Sequence, residues 1–138
     1  MEDFVTKQQA VAYVPKHSPE ALVGFMREFW EGTISHPFSG HERLWVEGWK
    51  PVAAFEVKPF DGRIDLGCIR TFERRKGHGT RALKWLCQLA DKHVVTIVGE
   101  IKPVGVERPR LGVAELRQWY KRHGFEVTGR KIVRRPQC

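Results

Sequence analysis

Residues 62–92, GRIDLGCIRTFERRKGHGTRALKWLCQLADK, decide the fold of this chain. Apolar and polar residues alternate from Arg63 onward, which predicts a strand, and an apolar run at helical spacing follows Thr80, which predicts a helix. Glycines at 77 and 79 let the turn between these elements bring a ligand close to backbone N–H groups at the helix start. Three cations precede the glycines and favour a polyanion such as a pyrophosphate as that ligand.

The spacing Arg74-x-x-Gly77-x-Gly79 resembles the acetyl-CoA signature of the GNAT superfamily of N-acetyltransferases, which is Arg or Gln, two residues, Gly, one residue, and Gly or Ala. The resemblance implies that the N–H groups of the turn hold the CoA pyrophosphate and that the preceding strand end pairs with the pantetheine arm. The cofactor-binding residues that it implies are Ile69, Arg70, Thr71, Arg74, Arg75, Lys76, Gly77, His78, Gly79 and Thr80.

A second stretch, Leu116-x-x-Trp119-Tyr120-x-x-x-Gly124-Phe125, resembles the other landmark of this family, in which Phe is usual where Trp119 stands. The match implies that Tyr120 is the general acid for the departing thiolate. A phenol suits that role because it stays neutral at pH 7 and can donate its proton.

The general base stays open at the level of sequence. Some members of the family use a glutamate on the strand before the turn, but that position is Arg63 here, which cannot act as a base. Asp65 lies two residues further along and points to the same face of the strand. Glu100 follows a predicted strand at 94–98, and a water chain to bulk solvent is the third candidate.

The same glycines allow two other interpretations. Gly77-His78-Gly79-Thr80-Arg81-Ala82 also fits the dinucleotide pattern G-x-G-x-x-A, with Glu100 at roughly the distance of a ribose carboxylate. Four charged residues, 73–76, separate the predicted strand from the first glycine, whereas a Rossmann glycine directly follows its strand, which disfavours a dinucleotide-binding domain. The other interpretation is a basic, solvated turn without a ligand.

The remaining pattern predicts one α/β (α+β) domain over residues 1–138. Strands are predicted at 5–14, 43–46, 52–57, 63–72 and 94–98, with a closing pair within 126–133 and a hairpin turn at Asp61-Gly62. A helix is predicted to begin after a Ser18 cap and end at Gly32, another lies over 113–123, and 33–42 and 100–112 are predicted loops. The resemblance implies a GNAT-like, mixed, mostly antiparallel central sheet with a splayed parallel strand pair and helices on both faces. Gly67 is a candidate bulge at that splay.

Composition narrows the classes of function. The net charge is 24 − 16 = +8, which favours acidic partners, but the aromatic residues fall mostly at core positions rather than between basic residues. The start of the chain is too polar and acidic for a signal peptide, and no apolar run approaches a membrane span, so we expect a cytoplasmic protein with no membrane partner. Three widely spaced cysteines predict neither a disulfide framework nor a metal site, and Cys68 and Cys87 are predicted to be core residues.

The activity that the resemblance implies is transfer of an acetyl group from acetyl-CoA to an amine by direct attack in a ternary complex. The acceptor is a small molecule or a protein, and loop histidines His36 and His41 are candidates for acceptor binding or proton transfer. A homodimer is compatible with the sequence. Two other classes stay open: a CoA-binding or inactive acyltransferase-like module that acts through protein or nucleic-acid contact, and a nucleic-acid-binding protein. The latter, which is not favoured, would use Arg70, Arg74, Arg75, Lys76, Arg81, Arg130, Lys131, Arg134 and Arg135.

Overall fold

A computed structural model describes residues 17–73, 76–102 and 112–137 of the chain. The helices in these ranges are α1 Pro19–Glu31, α2 His78–His93 and α3 Val113–Arg122. The strands are β1 Thr33–Ser35, β2 Arg43–Glu47, β3 Lys50–Phe60, β4 Arg63–Thr71, β5 Ile97–Glu100, β6 Glu126–Thr128 and β7 Lys131–Arg134. None of these helices is both long and apolar enough to span a membrane.

The strands form a seven-stranded sheet in the order β1-β2-β3-β4-β5-β7-β6. Every neighbouring pair is antiparallel except β4 and β5, which are parallel because helix α2 carries the chain back between them. The predicted class, a mixed and mostly antiparallel sheet with one parallel pair and helices packed on it, is therefore confirmed. The strand predicted at 5–14 and the middle of the loop predicted at 100–112 lie outside the described residues.

Local sequence signals set several of these boundaries. Ser18 caps α1 by accepting a hydrogen bond from the Ala21 N–H at 3.2 Å, and Pro19 opens the helix as predicted. Asp61 and Gly62 have φ angles of 50° and 78°, which are the positive values that a two-residue hairpin turn requires. The Asp-Gly turn between β3 and β4 is thus also confirmed.

The prediction of a loop over 33–42 was partly wrong, because Thr33–Ser35 form the edge strand β1. The Thr33 hydroxyl donates to the Phe29 carbonyl at 2.7 Å, and the Arg43 Nη2 donates to the Thr33 carbonyl at 2.8 Å. These contacts with α1 and β2 hold the three residues in an extended conformation. A strand this short leaves no periodic pattern in the sequence.

The strand predicted at 94–98 begins later than expected, at Ile97. Val94 instead ends α2 in the left-handed conformation, with a φ angle of 56°, and its N–H caps the carbonyls of Ala90 and Asp91. Glu100 is consequently the last residue of β5 rather than the first residue of a loop.

The core lies between the sheet and the helices α1 and α2. Phe55 of β3 is fully buried, with its ring centroid 5.8 Å from that of Phe29 and 6.0 Å from that of Trp85. Cys87 is buried in the same cluster, as predicted, and Cys68 is half-buried. This aromatic contact fixes both helices against the strand next to β4.

We expect Phe55→Ala to lower the free energy of unfolding by roughly 3–5 kcal/mol, because it removes a fully buried aromatic ring and leaves a cavity. Phe38→Ala is the matched control, since the Phe38 side chain is 92% exposed, and it should change stability by less than about 0.5 kcal/mol. Urea denaturation measures both values, and equal losses in the two variants would contradict this description of the core.

Candidate active site

The parallel pair β4–β5 is short and opens into a cleft. Only the pairs Ile64–Ile97, Asp65–Val98 and Leu66–Gly99 are in register among the described residues. Strand β4 continues to Thr71 and β5 to Glu100. Beyond Leu66, the edge of β4 that faces β5 therefore pairs with no described strand, while its other edge stays paired with β3. The strand pair is therefore splayed, as the family resemblance implied. The open edge offers backbone N–H and C=O groups to an extended ligand.

A β-bulge marks the point where the splay begins. Val57 of β3 pairs with Leu66 and Glu56 pairs with Cys68, which leaves Gly67 without a partner in β3. A Cβ atom on residue 67 would lie 2.8 Å from the Glu56 Oε1, so the glycine leaves space for that carboxylate over β4. The bulge predicted at Gly67 is present, and it redirects β4 where β5 separates from it.

The turn after β4 ends at a helix start that can bind an anion. Gly77 is the N-terminal cap of α2 with a φ angle of 74°, and no described side chain caps the helix. A Cβ atom on Gly79 would lie 3.4 Å from the Thr71 Cγ2 and 3.7 Å from the Trp119 ring, so the approach to the first turn is narrow. Uncapped N–H groups and the positive end of the helix dipole together favour a phosphate group. Arg74 and Arg75, predicted to contribute here, lie outside the described residues.

Other residues predicted to bind the cofactor have different surroundings. The side chain of Arg70 points across the sheet and donates two hydrogen bonds to Glu42, at 2.7 and 2.8 Å. The Thr80 hydroxyl accepts a hydrogen bond from the Trp119 Nε1 at 3.0 Å, which ties α3 to the start of α2. Ile69 packs partly buried against the core, and Lys76 is exposed. Lys76 can thus offer its charge to a ligand, whereas Ile69, Arg70 and Thr80 can offer mainly their backbone groups.

Tyr120 lies on α3 with only 6% of its surface exposed. Its ring centroid is 5.0 Å from that of Trp119 and 5.1 Å from that of Phe125, and its hydroxyl forms no hydrogen bond with another described residue. Burial raises the pKa of Tyr120 far above its ordinary value, and the thiols of Cys68 and Cys87 raise that pKa further. The hydroxyl is protonated at neutral pH, as an ordinary phenol is, and its surroundings disfavour the charged form further.

The carboxylates predicted as bases lie on neighbouring strands beside the splay. Asp65 is half-buried, and burial raises its pKa, with opposing effects from Lys58 and Lys102. Glu100 is exposed at the end of β5, where its backbone is in register with that of Lys131 in β7. Asp65 is consequently the carboxylate whose surroundings favour the protonated form.

Arg63, at the position where some members of the GNAT superfamily have a glutamate, is 2% exposed. Its Nη1 donates to the Asp61 carboxylate at 3.1 Å and to the Asp61 carbonyl at 3.2 Å. The side chain is thus part of the hairpin turn at the far end of β4, away from the splay.

Glu56 is a residue of the cleft that no sequence pattern predicted. It lies on β3, and its carboxylate overlies the bulge and contributes to raising the pKa of both Asp65 and Cys68. No described residue forms an ion pair with it. Only the register between β3 and β4 brings Glu56 to the splay, and a glutamate within a strand pattern carries no signal of such a position.

The two loop histidines predicted as acceptor-binding residues are placed differently from one another. His36 lies with its Nε2 3.9 Å from the Glu42 Oε1, next to the Arg70–Glu42 ion pair. His41 is exposed, and its backbone N–H donates to the Ser39 hydroxyl at 3.2 Å.

No family model and no curated protein sequence matches the chain. Several solved structures share its fold at low identity. One is an acyl-CoA N-acyltransferase from Pseudomonas aeruginosa, 13% identical, with a TM-score of 0.50 over 83% of this chain and 87% of that chain. Another is the anti-CRISPR protein AcrVA5, 15% identical, with a TM-score of 0.50 over 59% of this chain and 88% of that chain. A third is N-acetylglutamate synthase from Neisseria gonorrhoeae complexed with coenzyme A and N-acetyl-glutamate, 13% identical, with a TM-score of 0.50 over 89% of this chain and 34% of that chain.

These similarities, together with the splayed strand pair, identify the fold. The chain has the fold of the GNAT superfamily of N-acetyltransferases.

Stability at different pH tests the surroundings of Asp65. A raised pKa means that the fold disfavours the charged carboxylate, so the penalty is absent below the ordinary pKa and present at neutral pH. We expect Asp65→Asn to raise the thermal unfolding midpoint at pH 7, and to raise it less at a pH of about 3.5, below the ordinary pKa of an aspartate.

The matched control is Glu100→Gln, which neutralises an exposed carboxylate on the neighbouring strand and should change the midpoint little at either pH. A loss of stability in Asp65→Asn that is greatest at pH 7 would show that the charged form is stabilised instead.

Proposed function

We propose that this chain is an acetyl-CoA-dependent N-acetyltransferase that transfers the acetyl group to an amine by direct attack in a ternary complex. The observation that carries the proposal is the open edge of β4 leading directly to the uncapped start of α2. An extended ligand with amide groups along its length and a pyrophosphate at its end fits that combination. The CoA molecule has this construction, and one structure of the same fold contains coenzyme A.

The described residues fit such a ligand. The edge of β4 from Gly67 to Thr71 supplies N–H and C=O groups for the pantetheine arm, and the N–H groups of Gly77, His78 and Gly79 face the pyrophosphate. Bound acetyl-CoA supplies the activated acetyl thioester. Backbone N–H groups at the bulge are suited to polarising a carbonyl, since they are fixed in place and need no reorganisation.

Tyr120 is proposed as the general acid. Its hydroxyl carries a proton at neutral pH, since even the ordinary pKa of a phenol is about 10, and it forms no hydrogen bond with a described residue. The contacts of its ring with Trp119 and Phe125 hold the side chain in one orientation. A donor held in this way can protonate a leaving thiolate without first exchanging a hydrogen bond.

Asp65 and Glu100 are proposed to take the proton from the acceptor ammonium. Asp65 is supported by its raised pKa, which brings a carboxylate closer to the range of an effective base. Glu100 is supported by its exposure at the end of β5, where a water chain can connect it with the cleft. The acceptor is a small-molecule amine or a protein amine.

Nucleic-acid binding is less well supported, because several of the basic residues that it needs are paired. Arg70 binds Glu42, Arg81 binds Glu47, Arg134 binds Asp91 and Arg135 binds Glu126. A guanidinium that is already paired with a carboxylate neutralises a phosphate less well, so fewer counterions are released from the nucleic acid. The mostly antiparallel sheet also differs from the parallel sheet of dinucleotide-binding folds, which weakens the NAD interpretation.

A second function is supported by one observation. Arg63 occupies the position of a glutamate base in part of the superfamily, and it is buried in an ion pair with Asp61. A chain without that base could bind CoA and act through protein contact, as an inactive acyltransferase-like module. Slow acetyl-CoA hydrolysis that no amine stimulates would favour this function over transfer.

Tyr120→Phe separates the proposed chemistry from cofactor binding. We expect kcat for transfer to fall by about 10²-fold, because the general acid is lost, while the Kd of acetyl-CoA is unchanged. The measurement is release of free CoA thiol with an amine identified in an acceptor screen. The melting temperature should stay the same, since the hydroxyl bonds to no described residue. An unchanged kcat would remove Tyr120 as the acid.

A further inference from the structure

A bidentate ion pair holds the hairpin that joins β2 and β3 against the start of α2. Residues 76–78, which lead into this helix, are called the cofactor turn below. Glu47 is the last residue of β2, and Arg81 lies in the first turn of α2. The Arg81 Nε donates to the Glu47 Oε2 at 2.6 Å, and the Arg81 Nη2 donates to the Glu47 Oε1 at 2.8 Å. A guanidinium that makes two parallel bonds with one carboxylate has a fixed orientation as well as a fixed position.

The same guanidinium also binds the backbone of the turn. The Arg81 Nη1 donates to the Lys76 carbonyl at 3.0 Å, and the Arg81 backbone N–H donates to the Gly77 carbonyl at 3.0 Å. A Cβ atom on Gly77 would lie 3.0 Å from the Arg81 Nη1, so the glycine gives the side chain room to reach past it. Arg81 therefore holds the two residues that immediately precede α2.

Further contacts join the hairpin to both sides of the turn. Lys50, the first residue of β3, forms an ion pair with Glu73 just after β4. The His78 Nε2 lies 3.8 Å from the Glu47 Oε1. The hairpin thus contacts the chain before the turn through Lys50 and after the turn through Glu47.

Global stability does not explain this arrangement. The Arg81 side chain is 47% exposed and that of Glu47 is 33% exposed, and ion pairs in such surroundings contribute little to folding. The hydrogen bond from Arg81 lowers the pKa of Glu47, so the pair stays charged throughout the neutral range. The pair consumes the charge of Arg81 in an internal contact, which removes this cation from direct phosphate binding. Its remaining effect is to set the backbone geometry at residues 76–78.

We propose that Glu47 and Arg81 are positioning residues for the cofactor turn, which fix its N–H groups toward the pyrophosphate of CoA. The inference rests on the proposed function and adds to it a pair of residues that the family motif does not include. A pyrophosphate held by backbone N–H groups is sensitive to small displacements, because each bond needs a donor at about 2.9 Å with near-linear geometry. Loss of the pair should therefore weaken binding of the phosphate end of the cofactor and spare the pantetheine end.

The test is a double-mutant cycle with Glu47→Gln, Arg81→Met and the double variant. Calorimetry gives the Kd of CoA, and ¹⁵N NMR titration gives the Kd of pantetheine, which lacks the phosphates. We expect each single variant to weaken CoA binding by about tenfold and the double variant by no more than a single one, because the two residues act as a unit. The Kd of pantetheine and the melting temperature should stay as in the wild type.

Two further variants sharpen the result. Arg81→Lys keeps the charge but cannot bind Glu47 and the Lys76 carbonyl together, so it should weaken CoA binding like Arg81→Met. Arg135→Lys alters a similar exposed pair, with Glu126, outside the cofactor turn and should leave CoA binding unchanged.

Three outcomes would contradict the proposal in distinguishable ways. Variants that bind CoA like the wild type would overturn the positioning role and leave the proposed function standing. Equal weakening of CoA and pantetheine binding, with a lowered melting temperature, would show a merely structural role. A wild-type chain that binds no CoA would overturn the proposed function and the positioning role together.

Discussion

Backbone pairing between β4 and β5 ends at Leu66 and Gly99, and the rest of the cleft depends on this interruption. On the other side of β4, Gly67 has no partner in β3, so the strand bulges at the same level. Two features that each weaken a sheet thus coincide at one point. Their common result is a strand whose edge is open in the middle of a sheet rather than at its border, where edges are usually found.

An open internal edge leaves backbone groups that need partners. A ligand on this edge could extend to a second set of free donors, because β4 leads within a few residues to the start of α2, where N–H groups are also uncapped. A ligand that satisfies both sets of donors must be extended, must carry amides and must end in an anion. This requirement follows from backbone geometry alone and does not depend on the identity of the side chains.

Side-chain contacts hold the elements that surround the cleft in place. Trp119 binds Thr80 and so fixes α3, which carries Tyr120, against the helix that begins at the turn. Glu47 and Arg81 tie the start of α2 to the β2–β3 hairpin. Two residues at the start of α2, Thr80 and Arg81, are therefore held by partners that are far away in the sequence.

The sequence allowed prediction of features that depend on neighbouring residues. The Ser18 cap, the Asp61-Gly62 turn and the glycine turn before α2 each follow from conformational preferences over a few positions. It did not reveal β1, which three residues form through contacts with α1 and β2. Glu56 at the bulge was missed for a related reason, since its position depends on the register of two strands.

The most direct test is a calorimetric titration of the purified chain with acetyl-CoA, with NAD as the control ligand and Gly79→Glu as the control for the site. The wild type should bind acetyl-CoA saturably and ignore NAD. Gly79→Glu should lose that binding, because it places a carboxylate at the first turn of α2, whereas Gly40→Glu, at a position with open space around it, should retain it. Binding of NAD in place of acetyl-CoA, or an unchanged affinity in Gly79→Glu, would contradict the assignment of this cleft to CoA.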